Sequence, residues 1–294
     1  MHINNNILQC PKCRQTLSED FHCSHCGMQY QFVHGVYQLV SNEITNSQTS
    51  QWKVTDEMLE NPDAFLKREL QEKDWEEDYQ AKKNSETKEA ERKLNEYTDA
   101  LLQSLSGTVL DLATGMGRML RKVLAANQAV NVVCTDIDPR ILAWTRIVQK
   151  TDDKRVAYVA ADGRELPFPN DCFDYVTSFA AFGNIPDSDK VASELYRVLK
   201  KNGQLIIQGG YIEKGSKSHE LAKQYHLEQG LLEENLIACL RKAGFTDIDS
   251  HIVANAVWAE NPYDLLPVAG DIQKYCVIRA TKNKNLLNTL NSGL

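Results

Sequence analysis

The sequence predicts an α/β fold: a mostly parallel sheet with helices on both faces, preceded by a small four-cysteine module. Three observations predict it. Between residues 107 and 210, short apolar runs alternate with amphipathic helical patterns, as expected of parallel strands joined by crossover helices. A glycine-containing turn follows the first of those runs, and such sheets bind ligands at the carboxyl ends of their strands. Two Cys-x-x-Cys pairs stand close together near the N-terminus, a spacing that suits a metal better than disulfides in a reducing compartment.

The 294 residues are 42% hydrophobic and 25% charged, enough for one large domain and a small one. The first residues are polar and Asn-rich, with no basic stretch leading into an apolar run, so no signal peptide is expected. No stretch reaches the ~18 apolar residues of a membrane span. The expectation is a cytoplasmic protein without a membrane partner. Net charge is −7, of which residues 1–49 carry −1 and residues 50–106 carry −6, while residues 107–294 balance at zero. A dedicated RNA binder shows a basic footprint. RNA is therefore a partner that the charge does not favour, although a local basic patch stays open.

Cys10-Pro11-Lys12-Cys13 and Cys23-Ser24-His25-Cys26 are separated by nine residues. Each pair forms a knuckle that aims two thiolates at one point. Together they offer the closed tetrahedral set of structural zinc, so Cys10, Cys13, Cys23 and Cys26 are the expected ligands of a Zn2+ ion. Four thiolates leave no open position for catalysis. A redox dithiol would need only one pair. His22 and His25 read as surface residues of the knuckles. Residues 30–40 cluster apolar side chains around Gly35, as in a short hairpin. The zinc ribbon is placed at residues 1–41, a unit too small to fold without its metal. Cys134, Cys172, Cys239 and Cys276 stand singly in or beside apolar stretches and read as buried small hydrophobes.

Residues 42–106 read as a helical linker or lid segment. Asn61-Pro62 looks like a helix start, with Pro at the first helical position. The helical pattern runs to about Leu105 and breaks around Lys83-Asn84-Ser85. Leu66, Leu70, Trp75 and Tyr79 form a partial apolar stripe, and Leu94, Tyr97, Leu101, Leu102 and Leu105 a clearer one. The plain reading is a helix pair with a solvated acidic face. A sharper one folds Trp75 and Tyr79 over a ligand.

From residue 107 onward, strands are expected over 108–113, 130–136, 155–160, 173–179 and 204–208. The first ends in Asp111-Leu112-Ala113-Thr114-Gly115-Met116-Gly117. Glycines there allow a tight turn and close backbone approach to a ligand. A bare G-x-G fits many nucleotide sites, but the three-glycine dinucleotide fingerprint and the Walker lysine are both absent. Asp136 ends the second strand, nineteen residues after Gly117, where a carboxylate can accept both ribose hydroxyls of an adenosine. Asp138-Pro139 then caps a helix.

Five segments in order resemble the class I S-adenosylmethionine-dependent methyltransferases, in the style of the ubiquinone-biosynthesis enzymes. They are 110–117 (LDLATGMG), 135–139 (TDIDP), 161–168 (ADGRELPF), 172–176 (CFDYV) and 194–203 (ELYRVLKKNG). The resemblance implies a Rossmann-like seven-stranded methyltransferase sheet over residues 107–294, with S-adenosylmethionine as cofactor. Asp111 and the loop of Ala113, Gly115 and Gly117 would hold its methionine portion. Asp136 would bind the ribose, with Ile137 beside the adenine. Asp162, next to Gly163, would accept from the adenine amino group, and Phe179 would line the cleft between donor and acceptor. Ala113 stands where many relatives have a glycine, and Asp174 reads as no more than structural. A zinc ribbon before such a domain also resembles the architecture of the ribosomal-RNA guanine-N1 methyltransferases.

A helix over 231–243 ending at Gly244, and strands over 248–254 and 274–279, resemble the reversed closing hairpin of the family. The loop Trp258-Ala259-Glu260-Asn261-Pro262-Tyr263 reads equally as a substrate border or a packed corner. The Asn/Asp-Pro-Pro-aromatic motif of amino-group methyltransferases is missing; Ser178-Phe179-Ala180-Ala181 stands in its place. No catalytic residue is assigned, although Tyr211, His219, Tyr225 and His226 lie where a base could sit. Three functions stay open: a small-molecule methyltransferase, an RNA or translation-factor methyltransferase that reads with its ribbon, and a non-catalytic S-adenosylmethionine-binding protein.

Overall fold

The computed structural model describes residues 7–41, 54–71, 79–149, 154–262 and 264–283. Nearly every expected element is present. Strands β1 (Gln31–Val33) and β2 (Val36–Gln38) form a hairpin. Its two-residue turn has positive φ at both His34 (52°) and Gly35 (80°), the mirror-image turn that matches strand twist. Helix α1 (Asp56–Glu60) is capped by the Thr55 side chain, and α2 (Pro62–Gln71) opens on Pro62 as the sequence predicts. Trp75, one half of the predicted lid, lies outside the described residues.

Helix α3 (Ser85–Leu102) starts at Asn84, whose side chain accepts from Thr87 N at 2.8 Å. That cap is the reason for the break at 83–85. The helix buries Ala90, Leu94, Thr98 and Leu102 along one stripe. Lys83 departs from the expected solvated face: it is buried, and its Nζ binds both oxygens of Glu91, at 2.6 and 2.9 Å.

The sheet alternates as expected through β3 (Thr108–Leu112), α4 (Arg118–Ala126), β4 (Asn131–Asp136), α5 (Pro139–Val148), β5 (Val156–Ala160) and β6 (Phe173–Phe179). It continues through α6 (Ser188–Val198), β7 (Leu199–Ile212), α7 (Lys217–Gln224), α8 (Glu228–Leu231), α9 (Glu233–Ala243), β8 (Thr246–Val257) and β9 (Ile272–Thr281). Strands β7, β8 and β9 run longer than their apolar patterns suggest. The ends pair although their side chains are partly exposed, because a neighbouring strand satisfies the backbone.

The strand order is β1-β2-β5-β4-β3-β6-β7-β9-β8. The seven strands from β5 to β8 are the expected Rossmann-like sheet, parallel except for the reversed β9. The two additional strands come from the N-terminal hairpin. Strand β2 pairs parallel with β5, with Val36 opposite Tyr158 and Gln38 opposite Ala160. Every residue of β5 is buried as a result, and the cysteine module covers what would be an open sheet edge.

Side chains alternate between the two faces. Leu110 and Leu112 join a core with α6, α9 and the module residues Leu8, Leu17 and Tyr30. Val109 joins the opposite core with α3, α4 and α5.

Candidate functional site

The turn after β3 is built from backbone that few residues adopt. Ala113, Gly115 and Gly117 have φ of 51°, 50° and 76°. Glycine takes that region freely, whereas Ala113 occupies it under strain. Room is also limited at one position: a Cβ on Gly117 would lie 2.9 Å from Thr145 Cγ2. Neighbouring elements fasten the turn. Thr114 N donates to Thr135 O at 2.8 Å, and Thr145 Oγ1 to Gly115 O at 2.7 Å. Helix α4 begins at Gly117 with no side-chain cap, leaving its first N–H groups for an incoming anion.

Asp136 sits where the sequence places it, at the end of β4. Its Oδ2 accepts from Gly115 N at 2.9 Å and its Oδ1 from Asp138 N at 3.2 Å. The carboxylate thus ties the two loops expected to hold opposite ends of one ligand. Burial raises its pKa, with the Gly115 N–H opposing. Ile137 follows, half-buried.

Asp111 lies beneath the turn, fully buried and directly opposite Thr177 in the β3–β6 register. Thr177 Oγ1 donates to its Oδ1 at 3.1 Å, while its Oδ2 has no partner. Burial pushes this carboxyl up to about 7, against the pull of the Thr114 and Thr177 hydroxyls.

Asp162 follows β5 and is buried. Arg164 engages it closely: the backbone N and Nε bond Oδ1 at 2.8 and 2.9 Å, and Nη2 bonds Oδ2 at 2.7 Å. Oδ2 keeps one lone pair for a further donor. Gly163 is closely packed, since a Cβ there would lie 3.1 Å from Leu112 Cδ1. Asp174 stands at the opposite end of the sheet, accepting from Thr108 N at 2.8 Å and from Lys200 at 2.9 Å, in keeping with its structural reading.

Phe179 ends β6, with Arg118 stacked 5.9 Å from its ring centroid. Both residues line a cavity of about 580 Å³, within the range of small-molecule sites. Tyr79 lines it as well, as the lid reading requires of that residue. So does Trp258, which makes the 258–263 loop a cavity border at that residue. Of the four candidate bases only Tyr211 reaches the cavity. Burial raises its pKa, and its hydroxyl lies 3.0 Å from Ser250 Oγ. His219 instead accepts from Gly215 N at 2.9 Å, and Tyr225 is exposed.

Sequence reasoning did not single out Gln208, Asp264, Gln273 and Tyr275, which also line the cavity. The Gly209-Gly210 pair inside a strand was the available signal. A Cβ on Gly210 would lie 2.5 Å from Gln273 Nε2, so glycine is what lets that side chain cross β7.

The four module cysteines bring their sulfurs within 4.8 Å of one another. Cys10 and Cys26 are 3.5 Å apart, Cys13 and Cys23 3.4 Å. Sulfurs held tetrahedrally at about 2.3 Å from zinc lie about 3.8 Å apart, so the donor set fits that ion. His25 is exposed and no histidine joins the cluster among the described residues.

Residues 110–207 match the family model for the methyltransferase domain. That stretch, about a third of the chain, is similar to the methyltransferase domain. The chain is 36% identical over 109 residues to demethylmenaquinone methyltransferase of Thermus thermophilus, covering 37% of this chain and 50% of that one. It is also 36% identical over 103 residues to the ubiquinone/menaquinone biosynthesis C-methyltransferase UbiE of Escherichia coli, covering 34% of this chain and 41% of that one. The chain therefore spans half or less of the length of these relatives. The methyltransferase domain shares its fold with phosphoethanolamine N-methyltransferase 2 of Haemonchus contortus, solved with S-adenosyl-L-methionine. There the TM-score is 0.51 at 23% identity, over 64% of this chain and 53% of that one. No described helix is long and apolar enough to cross a membrane.

Proposed function

We propose that the protein transfers the methyl group of S-adenosylmethionine to a small molecule held in the cavity beside Phe179. The observation that carries this reading is the Asp136–Gly115 bond. It joins the strained turn after β3 to the carboxylate at the end of β4. In the proposed complex the turn backbone and the start of α4 hold the methionine end. Asp136 exchanges its bond with Gly115 for the ribose hydroxyls, Ile137 flanks the adenine, and the free lone pair of Asp162 takes the amino group.

S-adenosylmethionine supplies an activated methyl group on a sulfonium. The residues around it align the acceptor and exclude water, an effect worth up to about 7–11 kcal/mol in model reactions. A small molecule is favoured as acceptor because buried polar side chains converge on a bounded cavity. The relatives named for quinone biosynthesis act in the same sense. An RNA acceptor has no specific observation in its favour.

Cys10, Cys13, Cys23 and Cys26 hold a structural Zn2+ in this reading. The ribbon (residues 1–41) braces the methyltransferase domain (107–294), and the segment between them (42–106) supplies one cavity wall.

The test is calorimetry with S-adenosylmethionine. Wild type is expected to bind, and Asp136→Ala is expected to abolish binding while leaving the melting temperature near that of wild type. Folded wild-type protein that shows no binding heat ends the proposal.

A further inference from the structure

The loop after β5, residues 161–168, brings Asp162 and Gly163 to the site, and the cysteine module fastens it from outside. Leu39 N donates to Ala160 O at 2.9 Å, where the strand ends. Ser41 Oγ donates to Glu165 Oε2 at 3.1 Å. Gln9 N donates to Pro167 O at 2.9 Å. Arg14 Nη2 reaches Glu194 Oε1 at 2.7 Å, and Glu194 Oε2 accepts from Leu166 N at 2.9 Å. Packing follows the same seam: Ala161, Leu166 and Phe168 share one core with Leu8, Tyr30 and Leu39.

These contacts pass to Asp162. Glu165 N donates to Asp162 O at 2.9 Å, so the residue that Ser41 holds closes the turn that Asp162 opens. Arg164, inside that turn, sets the Asp162 carboxylate through Nε, Nη2 and its own backbone N. The methyltransferase domain holds the loop from its ends, where Ala161 N donates to Asp136 O at 2.9 Å and Arg197 to Leu166 O and Phe168 O.

The fastenings are continuous with the cysteines. Gln9 precedes Cys10 and Arg14 follows Cys13. Arg14 N donates to Cys10 O at 2.7 Å, closing the first knuckle, and Arg14 takes a φ of 61°. A residue with a long side chain keeps that left-handed backbone where its surroundings enforce it. A metal ion on four thiolates supplies the folding energy of so small a unit. The knuckle thus holds Gln9 and Arg14 together. Tyr30, whose hydroxyl lies 3.3 Å from Cys10 Sγ, leads into the hairpin that carries Leu39 and Ser41 to the loop.

We propose that the cysteine module positions the adenine end of S-adenosylmethionine, so that a metal ion on its four cysteines and the cofactor strengthen each other's binding. Gln9, Arg14, Leu39 and Ser41 are positioning residues that act through the 161–168 loop. This rests on the reading above, in which Asp162 receives adenine and the four cysteines hold zinc. A loop already fastened presents Asp162 in place, whereas a loosened one must be ordered on binding, which weakens it. Such coupling is reciprocal.

Calorimetry on the full chain with S-adenosylhomocysteine tests it, with zinc bound and after removal by a chelator and dialysis. Circular dichroism at the same temperature checks that the stripped chain stays folded. The stripped chain is expected to bind at least about fivefold more weakly. Adenosine, which lacks the methionine portion, is expected to weaken by the same factor. Zinc affinity, read by competition with a chromogenic chelator, is expected to rise by that factor in saturating S-adenosylhomocysteine. Arg14→Ala combined with Ser41→Ala leaves the four cysteines intact. This double variant should keep its zinc yet bind S-adenosylhomocysteine at least about threefold more weakly than wild type. A module that only closes the sheet edge would lower the melting temperature and leave these affinities unchanged.

Four results would overturn the inference: equal S-adenosylhomocysteine affinity with and without zinc, an unchanged adenosine affinity, a zinc affinity indifferent to the cofactor, or wild-type cofactor affinity in the zinc-loaded double variant. If the stripped chain unfolds, the double variant decides alone. The two levels separate in the same data. No binding of S-adenosylhomocysteine to zinc-loaded wild type removes the methyltransferase reading itself; binding that ignores zinc removes only the coupling.

Discussion

Arg14, in the cysteine module, donates from Nη2 to Glu194 Oε1 of α6 at 2.7 Å, across 180 residues of sequence. The same carboxylate accepts from Leu166 N at 2.9 Å and from Arg197 at 2.7 and 2.9 Å. Arg197 in turn donates to Leu166 O at 2.9 Å. Gln9 N adds a bond to Pro167 O at 2.9 Å. The ribbon is thus bonded to the loop that follows Asp162 and Gly163.

The two ends of this network differ in exposure, so their removal should differ in effect. The Arg14 side chain is 49% exposed and that of Glu194 7%. Arg14→Ala should cost less than about 1 kcal/mol. Glu194→Ala should cost about 3–5 kcal/mol, because it leaves the Arg197 charge without its carboxylate and the Leu166 N–H buried without a partner. Urea unfolding of the two variants checks this; equal costs would refute it.

Metal removal should act beyond the ribbon. Elemental analysis should find one zinc per chain, lost in Cys13→Ser. Since β2 covers β5, the variant should also lose amide-exchange protection at residues 156–160. Its melting temperature should fall by roughly 5–10 °C. Zinc loss with β5 protection unchanged would mean that the hairpin docks without its metal.

Two glycines of the turn should respond differently to alanine. Both have positive φ, but a Cβ meets nothing within 4 Å at Gly115 and meets Thr145 at 2.9 Å from Gly117. Gly115→Ala should cost about 1–2 kcal/mol from backbone strain alone. Gly117→Ala should cost about 1 kcal/mol more and weaken S-adenosylmethionine about tenfold, because Thr145 also fixes Gly115 O. Thermal melts and calorimetry on the pair decide it.

Asp111 should make stability fall with rising pH. Its folded pKa of about 7 lies above the ordinary carboxylate value. Below about pH 4 both states hold the proton and the group contributes nothing. Between about 4 and 7 only the unfolded chain releases it, so the folded state loses ground, and above 7 the whole penalty is present. Asp111→Asn should therefore match wild type near pH 4 and exceed it by on the order of 3 kcal/mol at pH 8. A gain independent of pH would contradict the assignment.

Much of the sheet was legible because its strands are short apolar runs punctuated by caps. Asp138-Pro139 and Asn61-Pro62 open α5 and α2 as read. The four-cysteine cluster was legible from spacing alone, since two knuckles converge whatever surrounds them. Asp136 was legible because a strand end fixes where its side chain emerges. Lys83 was not: nothing local tells a buried, paired lysine from a solvated one. Nor was the role of Arg164 on Asp162, which the resemblance had left free for adenine.

By itself the sequence determined the succession of strands and helices after residue 107, the cysteine cluster and the glycine turn after β3, because each depends on residues near one another in the chain. Only the tertiary structure decided that β2 closes the β5 edge, that Arg14 reaches Glu194, and that Gln208, Asp264 and Gln273 share one cavity. Those depend on side chains from distant segments meeting in a shared environment. Burial then decides which polar atoms are left without partners, and no local pattern carries that information.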